Sequence, residues 1–545
     1  MMKFNVRRGV QLLLSVSLLL QAAAVLAQVE IQLRMLPEKG VELEYHVPTQ
    51  CTQFRFDKDG ALARKIRESW IAADNCARIE GDELKFSSQC RIARFLVPAS
   101  VNKVSGYPAA FPLGKAIYVH TSNYQLDARC GEMRYTMMAP YLAFEGKVLA
   151  NRAQYIPPAD SSFPLLLSTR SISSEDGVLS YIDENLSPAY VERIQEVSRQ
   201  TIKYLHTAMP KARFMMPIIA AANVPHPGAV GFDGDAGNVL RLGLFNWPTE
   251  YTPEGKKTID DFVGHEFSHR FQKRDEVDIY PLSRLIHEGG GEYLRWHTAL
   301  QLGWMNQQEA AQDLDNALNL CLLGVEQRAW QGLSRASIVG RQLEYRCGLA
   351  AYVFGLAARQ NSRAGLNNVA EFYAQIQDGM RPDFADAIEC GERMDCHPRW
   401  LPLLFFSATP MAKTWDEYFQ KTGLARRVPP NQKQQDMMTK KVFSAVVTED
   451  CGESSMFEAS DGLIIDDLKA CKRLKKGMKV VAVEGHPIFG HPDAFPSLIE
   501  ACEKRKQLSL QLAKGETLQV SCATVHAPET NFYATNMAKL MRALQ

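Results

Sequence analysis

A chain of 545 residues, 46% hydrophobic and 23% charged, is long enough for several domains with cores of their own. Its 62 Lys and Arg against 61 Asp and Glu leave a formal charge of +1, which excludes the concentrated basic excess of a nucleic-acid binder. The composition is that of globular protein rather than of a disordered or fibrous chain.

Residues 1–27 read as an export signal. Lys3, Arg7 and Arg8 form a basic start, Val10 to Leu20 an apolar stretch, and Val25-Leu26-Ala27 offers a small residue before a cut at Gln28. An uncleaved membrane anchor is the alternative, because the apolar stretch approaches the length of a span. No other stretch is long and apolar enough to cross a bilayer. Cleavage would remove three cations, taking the formal charge from +1 to −2 and placing the mature chain in the periplasm or outside the cell. The twelve cysteines fit such a compartment and suggest disulfides. None forms a Cys-x-x-Cys pair. Cys390 with Cys396 is the most local pairing, pairing within residues 51–130 and within 451–522 is open, and a bond from Cys347 would hold the chain beside Tyr345.

Residues 28–180 read as a β-rich domain. Val41 to Val47 alternates apolar and polar with period two, and shorter strand-like runs follow at Phe54–Phe56, Ile92–Val97 and Ala116–His120. No chemical motif appears there, and His46 and His120 read as structural.

Residues 181–440 carry the chemistry. Ser187-Pro188 starts a helix reaching about His206, with serine as cap and proline in the first turn. Arg213–Ala222 and Gly237–Phe245 read as strands. The stretch from Thr258 then contains His265-Glu266-Phe267-Ser268-His269. Two histidines four apart share one helix face, the spacing at which two imidazoles hold one zinc with the intervening Glu266 as general base. Thr258, with Asp261 three residues on, is the expected helix start. After His269 come eighteen residues and then Glu288, on a second helix expected over Leu282–Gly303. It completes a three-ligand set that leaves one position for water. Gly289 to Gly291 follow. Three glycines in a helix cost roughly 1 kcal/mol each, which close approach to the His265 helix would explain. Glu292, one turn beyond Glu288, is placed to accept the N–H of a zinc-binding histidine. Further helices are expected at Asn306–Leu323, Tyr345–Arg359 and Val369–Met380, with a loop over Cys390–Trp400.

His-Glu-x-x-His, eighteen residues, then Glu resembles the gluzincin metallopeptidases, with the spacing of the large zinc aminopeptidase group and of its PDZ-carrying relatives, the glycyl aminopeptidase family. Tyr345-Arg-Cys-Gly-Leu-Ala, 57 residues past Glu288, resembles the Tyr-x-x-Gly-Ala helix start of those families. Its tyrosine there donates to the oxyanion of the tetrahedral intermediate. The resemblance thus implies one zinc on His265, His269 and Glu288, with Glu266 and Tyr345 catalytic. Tyr352 competes with Tyr345 but reads better as a buried helix residue. The resemblance also implies a mostly helical, thermolysin-like catalytic domain, an N-terminal β-domain walling the cleft, and an edge strand before the zinc helix that bonds the substrate backbone. It is imperfect at the glycine-rich segment, Pro227 to Gly237, where aminopeptidases of this kind carry a glutamate for the substrate's α-amino group. Val230 stands at that place. Asp233 or Asp235, near Gly231, are the candidate substitutes, with turn residues as the plain alternative.

Residues 441–525 read as a separate α+β module. Leu474 to Ile488 resembles the core signature of a PDZ domain, with Met478 where an acid is usual. Phe495–Lys504 would be its helix, Leu508–Leu512 and Thr517–Cys522 its last strands, and Gly462, Leu463 and Ile464 its carboxylate-binding loop. A C-terminal peptide is the partner this implies. Residues 526–545 read as a tail with a short helix. The expectation is an exported zinc peptidase acting on peptides or proteins, most simply an aminopeptidase. An endopeptidase of the same chemistry, or an inactive peptidase-like binder of partners, stands as the alternative.

Overall fold

Period-two alternation builds the first layer. In Gln28–Leu36 and Gly40–His46 every second residue is buried, and the antiparallel register sets Leu33 against Leu43 and Ile31 against Tyr45. The computed structural model describes residues 28–59, 61–101, 108–144, 146–155, 164–175, 178–214, 216–225, 230–272, 282–340, 342–358, 366–389, 400–459, 461–465 and 471–544. The expected export signal and the Cys390–Cys396 loop lie outside these residues. No described helix is long and apolar enough to cross a membrane.

The described residues divide into two compact units. One runs to Arg193 and resumes from 216 to Pro253; the other comprises Ile194–Phe214 and everything from Glu254 onward. In the first unit the opening strands belong to a nine-stranded sheet, in which Gln28–Leu36 also pairs parallel with Glu132–Phe144 and Gly40–His46 pairs with Ile92–Pro98. Its inward residues, among them Ile31, Leu43, Tyr45, Phe95 and Val97, form one core. His46 lies 3.0 Å from Glu44, and His120 is buried beside Ser122. Cys76 is bonded to Cys90.

The same unit holds a five-stranded sheet in the order Ser173–Glu175, Val178–Ile182, Ile218–Val224, Val239–Phe245, Gly231–Ala236. The stretch expected as the edge strand, Gly237–Phe245, is internal: all seven residues of Val239–Phe245 are buried, and the strand is paired on both sides. The edge is instead Gly231–Ala236, where turn residues were the plain alternative to a substrate-amine site. An Asp-Gly pair favours turns only while no neighbouring strand offers a full ladder. Here Val239–Phe245 offers one, antiparallel over Gly231–Phe245 to Ala236–Leu240.

The second unit is mostly helical. The helices Ser283–Gln301, Gln307–Val325, Leu343–Ala357, Leu366–Gln377 and Met411–Thr422 share a core containing Trp296, Tyr352, Tyr373 and Trp415. Asn306 caps Gln307–Val325 by accepting from Gln308 and Glu309 N–H groups, and Glu309 returns a bond to Asn306 N, a complete capping box. The Cys321–Cys347 disulfide ties this helix to Leu343–Ala357, two residues past Tyr345. Closing such a loop contributes about 3 kcal/mol.

The tail does more than end in a helix. Phe532–Thr535 pairs with Ala425–Val428, Asn319 exchanges two bonds with the Tyr533 backbone at 2.9 and 3.0 Å, and Tyr533 and Leu540 join the helical core. Its short apolar run concealed a strand that needs a partner more than 100 residues upstream in register.

A further core gathers Val442, Phe443 and Val446 of the helix Gln432–Cys451 with Leu463, Val480, Leu508 and Leu510. The boundary expected at 441 thus falls inside a continuous helix. The expected strands stand at Gly462–Ile465, Lys479–Val483, Gln507–Leu512 and Thr517–Ser521, and a helix at Ala494–Glu500. The disulfides Cys451–Cys471 and Cys502–Cys522 brace them. Gly462, Leu463 and Ile464 are not an open loop. They are an inner strand, paired with Met456–Ala459 on one side and with Lys479–Val480 on the other. Their backbone groups are already engaged, and among the described residues the sheet's edges are Met456–Ala459 and Thr517–Ser521.

Candidate active site

Three helices of the second unit supply the site. The first, Pro253–Ser268, ends in a tight 3-10 turn, His269–Phe271. It starts five residues before Thr258, whose hydroxyl donates to Glu254 O inside the helix at 3.0 Å. Pro253 was the stronger start signal, since its fixed φ suits the first helical position and its missing N–H costs nothing there. The second helix, Ser283–Gln301, carries Glu288, and the third, Leu343–Ala357, carries Tyr345.

The glycine run explains how closely these pack. A Cβ on Gly289 would lie 2.5 Å from Gly348 Cα, so the glutamate and tyrosine helices touch backbone to backbone. A Cβ on Gly290 would meet Gln272 Nε2 at 2.6 Å, and one on Gly291 would meet the His269 and His265 rings at 2.9 and 3.1 Å. Only Gly291 therefore serves the expected approach to the histidines.

The result is a convergence of donor atoms. His265 Nε2 and His269 Nε2 are 3.0 Å apart, and Glu288 Oε2 lies 3.5 and 3.3 Å from them. Ligands at 2.0–2.1 Å on a tetrahedral zinc are separated by about 3.3 Å. The other ring nitrogens are held elsewhere. His265 Nδ1 lies 2.9 Å from Glu292 Oε1, and His269 Nδ1 lies 2.8 Å from Gln272 Oε1. Both partners are acceptors, which favours a proton on each Nδ1 and turns each Nε2 toward the cluster. Two lone pairs and a carboxylate oxygen this close repel unless a cation lies between them. The donor set fits zinc.

Charged neighbours surround these ligand atoms. Burial opposes charge on His265, but Glu288 and Glu292 outweigh it and raise its pKa to about 10. Burial likewise pushes Glu292 up, yet Arg295 and His265 hold it down at about 2. Arg295 is 5% exposed and donates to Glu292 at 2.8 and 3.0 Å, to Asp261 at 2.8 Å and to Asp313 at 2.8 Å. Gln272 is fixed as firmly, donating to Tyr373 OH at 2.6 Å and to His287 O at 3.1 Å, while the His287 ring stacks on His269 at 4.1 Å. Arg284 stands 3.7 Å from the free oxygen of Glu288 and 2.8 Å from buried Glu344.

Tyr345 lies beside this cluster, its ring 5.5 Å from His265. Burial, then the charges of Glu288 and Glu266, push its phenol well above the usual tyrosine range, so it stays a donor. Glu266 is near enough to act on both Tyr345 and His265. Tyr352 has no exposed surface. Its hydroxyl reaches Ile286 O and Tyr373 OH, both at 2.9 Å, within the helical core.

Asp233, Asp235 and Gly231 belong to the first unit and share one face of the edge strand. Both carboxylates pair with Arg241, Asp233 at 2.6 Å and Asp235 at 3.0 Å. Arg241 itself is buried against the rings of Phe111 and Tyr118.

Sequence reading overlooked Gln272, Arg295 and Arg284. A signal was present: Gln272 is three residues from His269, Arg295 three from Glu292 and Arg284 four from Glu288, the spacings at which helical side chains meet.

No known protein family and no curated relative matches this sequence. Solved structures match by fold. The aminopeptidase N family protein from Idiomarina loihiensis superposes with a TM-score of 0.59 at 11% identity, over 95% of this chain and all of that one. The chain shares that protein's fold. An M1 zinc metallopeptidase from Deinococcus radiodurans matches with a TM-score of 0.36 at 12% identity, over 66% of this chain and 88% of its own.

Proposed function

We propose that this chain is an exported zinc-dependent peptidase that removes residues from the N-terminus of peptides. One observation carries the zinc reading: two Nε2 lone pairs and a carboxylate oxygen converge within 3.5 Å while both Nδ1 atoms are held by acceptors. Held by His265, His269 and Glu288, one zinc would polarise a peptide carbonyl and lower the pKa of water at its open position toward ~7. Glu266, next to His265 in sequence, takes the proton from the attacking water and passes it to the leaving amine. Tyr345 donates its hydroxyl proton in a hydrogen bond to the developing oxyanion. Glu292 and Gln272 keep the imidazoles turned toward the metal, and Arg284 faces the free oxygen of Glu288.

The aminopeptidase half of the proposal draws on the Idiomarina protein's description as a member of the aminopeptidase N family. At Asp233 and Asp235 it draws on no unpaired carboxylate, since both pair with Arg241, although one guanidinium leaves the trio with a net negative charge. Export draws on residues 1–27 and on the disulfides. The C-terminal module is proposed as PDZ-like, receiving the C-terminus of a partner along the open Met456–Ala459 edge, since strand addition needs unpaired backbone.

Matched peptides with free and acetylated N-termini, assayed with and without a zinc chelator, test this. Cleavage of the free peptide, lost on chelation and restored by zinc, is expected, with the acetylated peptide cut poorly. Equal cleavage of both replaces the aminopeptidase by an endopeptidase. A protein that holds no zinc after zinc-replete expression overturns the whole reading.

A further inference from the structure

Among the described residues, two other groups bring three metal-ligating side chains together. In one, Asp450 with Cys451 and Cys471, the two sulfurs are bonded to each other, which removes the thiolates a metal needs. The other is His486, His491 and Asp493, whose donor atoms lie within 4.8 Å of one another. We propose that these three residues form a second metal site, for a divalent first-row transition ion such as zinc, on the C-terminal module.

The chain is bent to bring them together. His486 follows Gly485 and His491 follows Gly490, glycines at φ 84° and 72°, a backbone that residues with a Cβ rarely adopt. Between them Ile488 is fully buried, with its N–H on Val481 O at 3.0 Å. Gly490 N–H donates to Asp436 on the helix Gln432–Cys451 at 3.0 Å. The loop is therefore pinned at its centre and at its end. The two rings face each other at 4.7 Å with 30° between planes. His491 Nδ1 accepts a 3.2 Å bond from Asp493 N–H and lies 4.0 Å from Asp493 Oδ2. Donors on one tetrahedral ion stand about 3.3 Å apart. The Asp493 side chain is 65% exposed, so a small side-chain rotation closes that gap, and the ion replaces the long backbone bond at Nδ1. Imidazole nitrogens select zinc, copper or nickel and are poor ligands for calcium or magnesium, which prefer oxygen. Three protein ligands on an exposed rim leave water to complete the shell. An ion there would join the loop after Lys479–Val483 to the start of the helix Ala494–Glu500.

The test does not depend on the active-site reading. Tag-free wild type and the double variant His486→Ala/His491→Ala are equilibrated with micromolar zinc, desalted, and assayed for zinc and for peptide hydrolysis. The expected result is one zinc fewer per chain in the double variant, with hydrolysis unchanged. The same difference should persist in a His265→Ala background, where the first centre is disabled. Both His486 and His491 are solvent-accessible, so matching thermal melts in metal-free buffer will show that the variant folds. Equal zinc content in the folded wild type and double variant overturns the proposal.

Discussion

Two histidine clusters in one unit differ in everything except their ligand types. His265 and His269 are backed by Glu292, Arg295, Gln272 and Tyr373, and none of these side chains is exposed. His486 lies in the two-residue strand His486–Pro487 and His491 in the loop after it, their rings stacked at 4.7 Å, with a backbone N–H donating to His491. Ligands alone make a place to hold an ion. A catalytic centre also needs its ligands fixed, a base, and an oxyanion donor within reach. On the proposed reading the buried cluster is offered a base by Glu266 and an oxyanion donor by Tyr345, and the surface cluster is proposed only to hold an ion.

Substitutions can break or sharpen this contrast. The largest effect should come from Glu266→Gln, which keeps the shape but removes the base. Turnover should fall by about 10²–10⁴ with zinc content and melting temperature unchanged, and a drop in bound zinc would show that Glu266 holds the site together rather than moving protons. Tyr345→Phe comes next, with kcat lower by about 10²–10³ and KM little changed. Full activity in Tyr345→Phe alongside a dead but folded Tyr352→Phe would mean that the wrong tyrosine has been assigned. The smallest of the three is Glu292→Gln, which loosens the hold on His265. Zinc affinity, read by competition with a chelator, should weaken by about 10–100-fold. An unchanged affinity there would reduce the Arg295 network to fold support and blunt the contrast itself.

Much of the buried centre was legible because its ligands obey local rules. His265 and His269 are one helical turn apart, and Glu288 lies in a helix marked by periodic apolar residues. The glycines announced tight packing, but their partners were misjudged. Gly289 meets Gly348, 59 residues away in sequence, and no periodicity within either helix names the other. The surroundings of Asp233 and Asp235 were hidden for the same reason: their local signature allows a turn, and the strand that straightens them, which also carries the arginine that pairs with both, is set by non-local pairing. The Gly462–Ile464 segment resembled a loop motif, yet an inner strand and a loop differ only in whether neighbours occupy both edges.

Residue spacing alone marked the helices that carry the site, the alternation of the opening sheet, and the three converging side chains His265, His269 and Glu288. These depend on contacts within a turn or along a strand, where the period of the backbone decides which side chains face the same way. Which strand is an edge, that the tail completes the helical core, that Gln272 and Arg295 lock the imidazoles, and that His486 meets His491 were decided by tertiary structure. Each depends on which distant segment occupies the neighbouring space, and that is settled by packing of the whole chain rather than by any window of it.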